Sequence, residues 1–389
     1  MRLNFFIFIP MNKYIAKTFA GLEQLLAQEL HDIGASDIQI LTRAVAFEAD
    51  DALLYKANMC LRTALRIIHP ILEEQVQTVE DLYKMAKSIN WTRFFTEKQT
   101  IAVHSVVDRN PNFNNTMIAS LKAKDAIVDQ FRDLKGSRPS VDKDNPDIRI
   151  DVHIFKDRCT LSIDTSGDAL HKRGYRQTNH QAPLNEITAA ALVMWSDWDY
   201  NNQTFLDIMC GSGTILAEAA LIATQAAPNL NRETFGFQRW KNYDAKLHEK
   251  MWVELRQKVN MDNIAKIIGC DIDKRAINDA RQNIANAGID ELVRLSVADA
   301  FQKDFSTETA GTLIFNPPYG QRLSLGDAQD ETAFYKQIGD LLKQRFKGWS
   351  AWILGGNPEA MKRVGLKAAR KQTVYNGSIE CVFAKYELY

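Results

Sequence analysis

The chain has no Cys-x-x-Cys pair and no His-x-x-x-His spacing. Its five cysteines (Cys60, Cys159, Cys210, Cys270 and Cys381) lie far apart, and its seven histidines form no cluster with them. A structural zinc site needs such spacing, so no metal is expected. Scattered thiols in odd number make no disulfide framework and fit a reducing cytoplasm. Excess charge is also missing: Lys plus Arg and Asp plus Glu number 48 each in 389 residues. No global field draws in an anionic polymer, so any nucleic-acid contact must come from a local patch. Long apolar runs are absent as well. The opening stretch 5–9 is too short to span a bilayer and is followed by no convincing cleavage site, so no membrane partner is expected. A clean strand pattern begins only after Met11, and translation is expected to start there. An intact mass of the native protein tests this. What is present is a globular balance, 46% hydrophobic and 10% aromatic, without repeats or low-complexity tracts.

Three blocks emerge from periodicity. In the first, a strand at 14–19 precedes a helix whose Leu22, Leu25, Leu26, Leu30 and Ile33 form one stripe, ended by Gly34. Extended segments at 37–41 and 45–48, a helix at 51–61 and the segment 63–70 complete a β-α-β-β-α-β order, which reads as ferredoxin-like. The second block alternates a helix (79–90), a strand (101–107), a helix (115–134) and two strands (148–155, 159–166). From about Pro183 the pattern becomes regular βα alternation. Helix 184–195 is followed by strand 204–209, helix 214–224, and strands 266–270, 293–297, 312–315 and 351–354. A final pair lies near 372–374 and 379–386. This is a doubly wound, mostly parallel sheet, whose ligands belong at the carboxyl edge. An insertion at 226–259 carries Trp240, Tyr243 and Trp252. Aromatic packing is its first reading and a lid its second.

Four signals fall at successive strand ends. The first is Asp207-Ile208-Met209-Cys210-Gly211-Ser212-Gly213-Thr214: an acid, a tight glycine loop and a helix start. Gly211 and Gly213 would let backbone approach a ligand, and the helix N-terminus offers unpaired N–H groups. Leu216 stands where a third glycine would complete G-x-G-x-x-G, and the acid suits a cationic end better than a pyrophosphate. Both points lead away from NAD and toward a nucleotide bearing an amino acid. The second signal is Asp271-Ile272-Asp273, with Asp271 placed for a ribose diol and Asp273 for capping a helix. The third is Asp299-Ala300, an acceptor for an adenine amine. The fourth is Asn316-Pro317-Pro318-Tyr319-Gly320, where two rings that cannot donate make a stiff turn with free carbonyls. Asn316 Oδ1 and the Pro317 carbonyl can accept both hydrogens of one exocyclic amine, and Tyr319 can stack on its base.

These segments resemble the class I S-adenosylmethionine-dependent amino-methyltransferases. The stretch Leu170-His171-Lys172-Arg173-Gly174-Tyr175-Arg176, with Ala182-Pro183-Leu184-Asn185-Glu186, is similar to the junction in THUMP-domain RNA methyltransferases. The bacterial 23S rRNA guanine-N2 methyltransferases are the best match. The resemblance implies a ferredoxin-like part (1–70), a THUMP RNA-binding domain (71–166), a linker (167–182) and a Rossmann-like methyltransferase domain (183–389). It implies S-adenosylmethionine as cofactor, held by Asp207, Cys210, Gly211, Gly213, Asp271, Ile272, Asp299, Ala300 and Asn316. Catalysis would fall to Asn316, Pro317 and Tyr319, and RNA contact to Lys172, Arg173, Tyr175 and Arg176. Larger members of that family carry a second methyltransferase domain; this chain ends at Tyr389, so a single modification is expected. Gln321 stands where the family often has an acid. The rival substrates are tRNA guanine, DNA adenine and protein glutamine, and a non-catalytic assembly factor is the rival class. A second basic stretch (Lys122, Lys124, Arg132, Lys135 and Arg138) is interleaved with Asp125, Asp129 and Asp133, and a solvated mixed-charge face explains it equally well.

Overall fold

The computed structural model describes residues 11–113, 115–176, 184–318 and 328–389. The chain divides into two compact units. One takes residues up to Thr18, Leu26–Leu170 and Arg232–Val253; the other takes Phe19–Leu25, His171–Asn231 and Glu254–Tyr389.

The first unit is built on β1 (Asn12–Lys17), α1 (Glu23–Ile33), β2 (Ser36–Leu41), β3 (Ala44–Ala49), α2 (Asp51–Cys60) and β4 (Arg66–Gln75). The order continues with α3 (Val79–Ser88), β5 (Thr100–Asp108), α4 (Thr116–Lys135), β6 (Ser140–Val141), β7 (Ile148–Phe155) and β8 (Arg158–Asp164). Local chemistry sets the helix starts. Asp50 accepts from Leu53 N at the head of α2, and Thr78 and Asp81 form a reciprocal capping box on α3. All eight strands join one sheet in the order β2-β3-β1-β4-β8-β7-β5-β6. The first four alone have the ferredoxin-like order expected. The seam is the antiparallel β4–β8 pair, running from Ile68 opposite Asp164 to Gln75 opposite Arg158. The blocks read as separate in the sequence therefore share a sheet, and a division after residue 70 falls inside β4.

On α4, Lys122 pairs with Glu80, Lys124 with Asp125 and Arg132 with Asp129, while Asp133 takes Lys87. These pairs make the mixed-charge face that was one of the two explanations of this stretch. The insertion returns to the first unit. Phe237 stacks on Tyr55 with centroids 4.4 Å apart, Tyr243 hydrogen-bonds His248 Nδ1 at 2.8 Å, and Trp240 is buried. Trp240 and Tyr243 are packing residues, as their first reading held, and Trp252 is exposed.

The second unit holds α5 (Glu186–Trp195), β9 (Thr204–Asp207), α6 (Thr214–Ala223), β10 (Ile267–Asp271), α8 (Lys274–Asn286), β11 (Val293–Val297) and β12 (Gly311–Phe315). It ends with α9 (Ala328–Arg345), β13 (Ser350–Gly355), α10 (Pro358–Met361), β14 (Arg370–Asn376) and β15 (Ile379–Glu387). The helix α7 (Ala245–Gln257) begins in the first unit and ends in this one. The strand order is β11-β10-β9-β12-β13-β15-β14, parallel except for β15. Seven strands and a mostly parallel sheet match the expected class. The connectivity reverses between β9 and β12, and this switch point opens a crevice beyond the strands' carboxyl ends. Buried Leu206, Leu313, Phe315, Ile353, Tyr335 and Leu342 form the core that fixes those ends.

Candidate active site

At the switch point lies a cavity of about 880 Å³. Asp207, Cys210, Gly211, Asp271, Ile272, Asp299, Ala300, Asn316 and Pro317 all line it, so residues spread over more than a hundred positions share one hollow. The wall is strongly acidic: among the described residues, Asp207, Asp271, Asp273, Asp279 and Asp299 stand against a single lining cation, Arg275. Such a wall favours a ligand with a cationic end and opposes a pyrophosphate.

The glycine loop is tied down by the second strand end. Gly211 N donates to Asp271 Oδ2 at 2.9 Å, and Asp273 N donates to Asp271 Oδ1 at 2.9 Å. Asp273 itself caps α8 by accepting from Arg275 N at 2.8 Å, the role expected of it. Asp299 accepts from Phe301 N and Gln302 Nε2, both at 2.9 Å, which fixes its carboxylate at the end of β11. Two acceptors are left over. Asp207 Oδ1 takes Met209 N at 3.1 Å, but its buried Oδ2 has no hydrogen-bond partner among the described residues. Asn316 Oδ1 is likewise buried and unmatched among them. Buried acceptors without donors are costly, so the site is built to receive donors from a ligand. Burial raises the Asp207 carboxyl well above its ordinary range; the Met209 N–H opposes this and the Asp271 charge adds to it.

Not every expected residue reaches the site. Gly213 does not line the cavity; it sits at φ 78°, and a Cβ there would meet the Ala280 Cβ at 3.0 Å. It is required for the turn and for α8 packing, not for ligand approach. The basic segment needs a larger correction. Arg173 is buried with its Nε 3.6 Å from Glu218 Oε1, and Tyr175, also buried, donates its hydroxyl to the same oxygen at 3.0 Å. Neither can stack on or grip RNA. Arg176 pairs with Glu186 at 2.9 Å and donates to the Leu184 carbonyl at 3.0 Å, an internal tie. Lys172 is exposed, and His171 is half-buried. Tyr319, Gly320, Gln321, Ala182 and Pro183 lie outside the described residues. Sequence reasoning missed the aromatic wall, Phe301 and Phe334, whose rings meet edge to face at 5.8 Å. The helix that supplies Phe334, α9, was not anticipated.

Strand order and an acidic crevice at the switch point define a class I methyltransferase fold. Comparison with known proteins agrees. The profile described as RMKL-like, methyltransferase domain matches residues 173–385, a THUMP domain profile matches 76–164, and an RlmL ferredoxin-like domain profile matches 13–68. The chain belongs to the RMKL-like methyltransferase family. It is 37% identical over 382 residues to a Shewanella frigidimarina protein named ribosomal RNA large subunit methyltransferase K/L, covering 97% of this chain and 53% of that one. The chain thus spans about half the length of the curated relatives it matches. Among solved structures, a possible methylase from Clostridium difficile 630 is 33% identical with a TM-score of 0.88, covering 98% of this chain and 99% of that one. The protein SMU.472, solved in complex with SAH, is 29% identical with a TM-score of 0.87, covering 97% and 98% respectively.

Proposed function

We propose that this chain transfers a methyl group from S-adenosylmethionine to the exocyclic N2 amine of a guanosine in cytoplasmic RNA, with 23S rRNA as the substrate. The observation that carries this reading is the pair of buried acceptors, Asp207 Oδ2 and Asn316 Oδ1, left unmatched among the described residues in one cavity. The first suits the donor's ammonium and the second suits the acceptor's amine. Asp271 would hold the ribose hydroxyls, and Asp299 the adenine amine between Phe301 and Phe334. RNA is supported by the THUMP match at 76–164, and rRNA by the name of the Shewanella relative. Residues 71–166 would deliver the RNA, 167–182 link, and 183–389 catalyse. In the linker, Lys172 remains the exposed cation for a phosphate.

The bound donor supplies a methyl already made electrophilic by its sulfonium. The chain supplies orientation. Guanine N2 is a poor nucleophile because its lone pair is delocalised into the ring. Accepting both N–H bonds at Asn316 Oδ1 and the Pro317 carbonyl holds the amine and localises that pair toward the methyl. Positioning of this kind is worth about 7–11 kcal/mol. The base must leave its stack to reach the crevice, which is easiest in a loop or by flipping.

Methyl transfer to rRNA and tRNA from a strain lacking the protein, with nucleoside analysis, tests the proposal. N2-methylguanosine in 23S rRNA is expected; labelled tRNA, or an unlabelled RNA pool, overturns the rRNA assignment. A second expectation concerns pH. A carboxyl raised in the folded state adds stability below its ordinary value, 3.8, and that stability is lost as pH rises through the folded value. A cationic donor binds the ionised form, so its affinity should rise with pH across the same window, by at most about tenfold per pH unit. Calorimetric titration should show this slope in the native protein and a flat, weaker profile in Asp207→Asn.

A further inference from the structure

Helix α9 carries an acid that the mechanism above leaves unused. Glu331 lies three residues before Phe334, which lines the cavity with Asn316, Pro317 and Pro318. Residues three apart are neighbours on a helix surface, so Glu331 stands one turn from that wall. Its Oε2 accepts from Asn357 Nδ2 at 2.8 Å. Its Oε1 is buried and has no hydrogen-bond partner among the described residues. Asn357 stands two residues past β13, which runs parallel to β12 with Phe315 opposite Ile353. Asn316 and Asn357 therefore leave neighbouring strand ends at the same edge. The Asn357 amide is fixed in turn, since its Oδ1 accepts from Glu359 N at 3.1 Å and Ala360 N at 3.2 Å to cap α10. This is a further buried acceptor, held in place, one helical turn from a lining residue and at the sheet edge from which Asn316 leaves.

We infer that Glu331, oriented by Asn357, accepts a hydrogen bond from the N1–H of the target guanine and so sets base specificity. The inference rests on the guanine-N2 reading. Guanine presents N1–H beside its N2 amine, so with the amine on Asn316 and Pro317 the next donor along that edge needs an acceptor. Adenine and cytosine present a bare ring nitrogen there. A carboxylate repels that lone pair and is itself left unmatched, the arrangement that rejects a wrong ligand most strongly.

RNA carrying 2,6-diaminopurine in place of the target guanine tests this, because it keeps the N2 amine but has a bare N1. The native protein is expected to prefer guanine by about a hundredfold in kcat/KM. In Glu331→Gln the amide can turn its NH₂ toward a bare nitrogen, and the preference should shrink to about threefold or less. Asn357→Ser keeps a cap for α10 but loses the amide donor, and should lower the preference about tenfold. Donor binding by calorimetry should be unchanged in both. A guanine preference that persists in Glu331→Gln overturns the inference, whatever happens to total activity. Should that variant fail to fold, an undiminished preference in Asn357→Ser overturns it equally. If the native protein binds donor but methylates N2 of neither base, the guanine-N2 reading itself has failed.

Discussion

Asn316→Ala should lower kcat about a thousandfold while donor affinity changes by about twofold or less. In the proposed mechanism the side chain supplies one of the two oxygens on the target amine, and its Oδ1 is buried in the cavity without a partner among the described residues. Alanine removes the acceptor but leaves the acids proposed to hold the donor. Those acids are fixed independently of Asn316: Asp271 by Gly211 N and Asp273 N, and Asp299 by Phe301 N and Gln302. The loss should therefore appear in the chemical step. Single-turnover methyl transfer at saturating RNA, beside calorimetry with the donor, separates the two quantities. Full turnover in the variant would remove Asn316 from the mechanism.

Arg173→Met should cost about 3–5 kcal/mol of stability and leave RNA affinity unchanged. Arg173 and Glu218 have side chains 1% and 0% exposed, so removing the cation strands a carboxylate in the core of the second unit. The Tyr175 hydroxyl would still donate to Glu218 but carries no charge. Replacing both partners removes the stranded charge, so the double variant Arg173→Met/Glu218→Met should recover most of the loss. Denaturant unfolding of the full chain, followed by a probe in the second unit, measures both. RNA affinity falling in step with one lost phosphate contact, at unchanged stability, would instead restore Arg173 to the surface role first expected.

The four strand-end signals were legible because each joins a strand to a chemistry-bearing residue at a fixed place. Asp207, Asp271, Asp299 and Asn316 needed only the strand count to be brought together. The basic segment was misread because charge was taken as exposure. In the structure Lys172 and Gly174 are exposed while Arg173 and Tyr175 are buried, an alternation that the residue types alone do not show. The partner was visible, since Glu218 is the one charged residue in the apolar helix Thr214–Ala223. A lone acid on a helix buried nearly all round demands a buried cation. The shared sheet of the first two blocks was not legible, because the β4–β8 seam joins strands some ninety residues apart and leaves no local mark. Phe334 and Glu331 escaped notice for a related reason. They lie well downstream of the proline turn, on a helix whose polar stretches mask its buried face.

The return of Arg232–Val253 to the first unit has a consequence for how such proteins can be rearranged. The half matched by the methyltransferase-domain profile is no self-contained cassette. A gene fragment opening near residue 171 would encode Phe237 and Tyr243 without the Tyr55 ring they pack on, leaving greasy surface in water. Swapping the first unit for that of a relative would have to exchange Arg232–Val253 as well as the stretches before residue 171. Shuffling at a single junction should yield insoluble chimaeras.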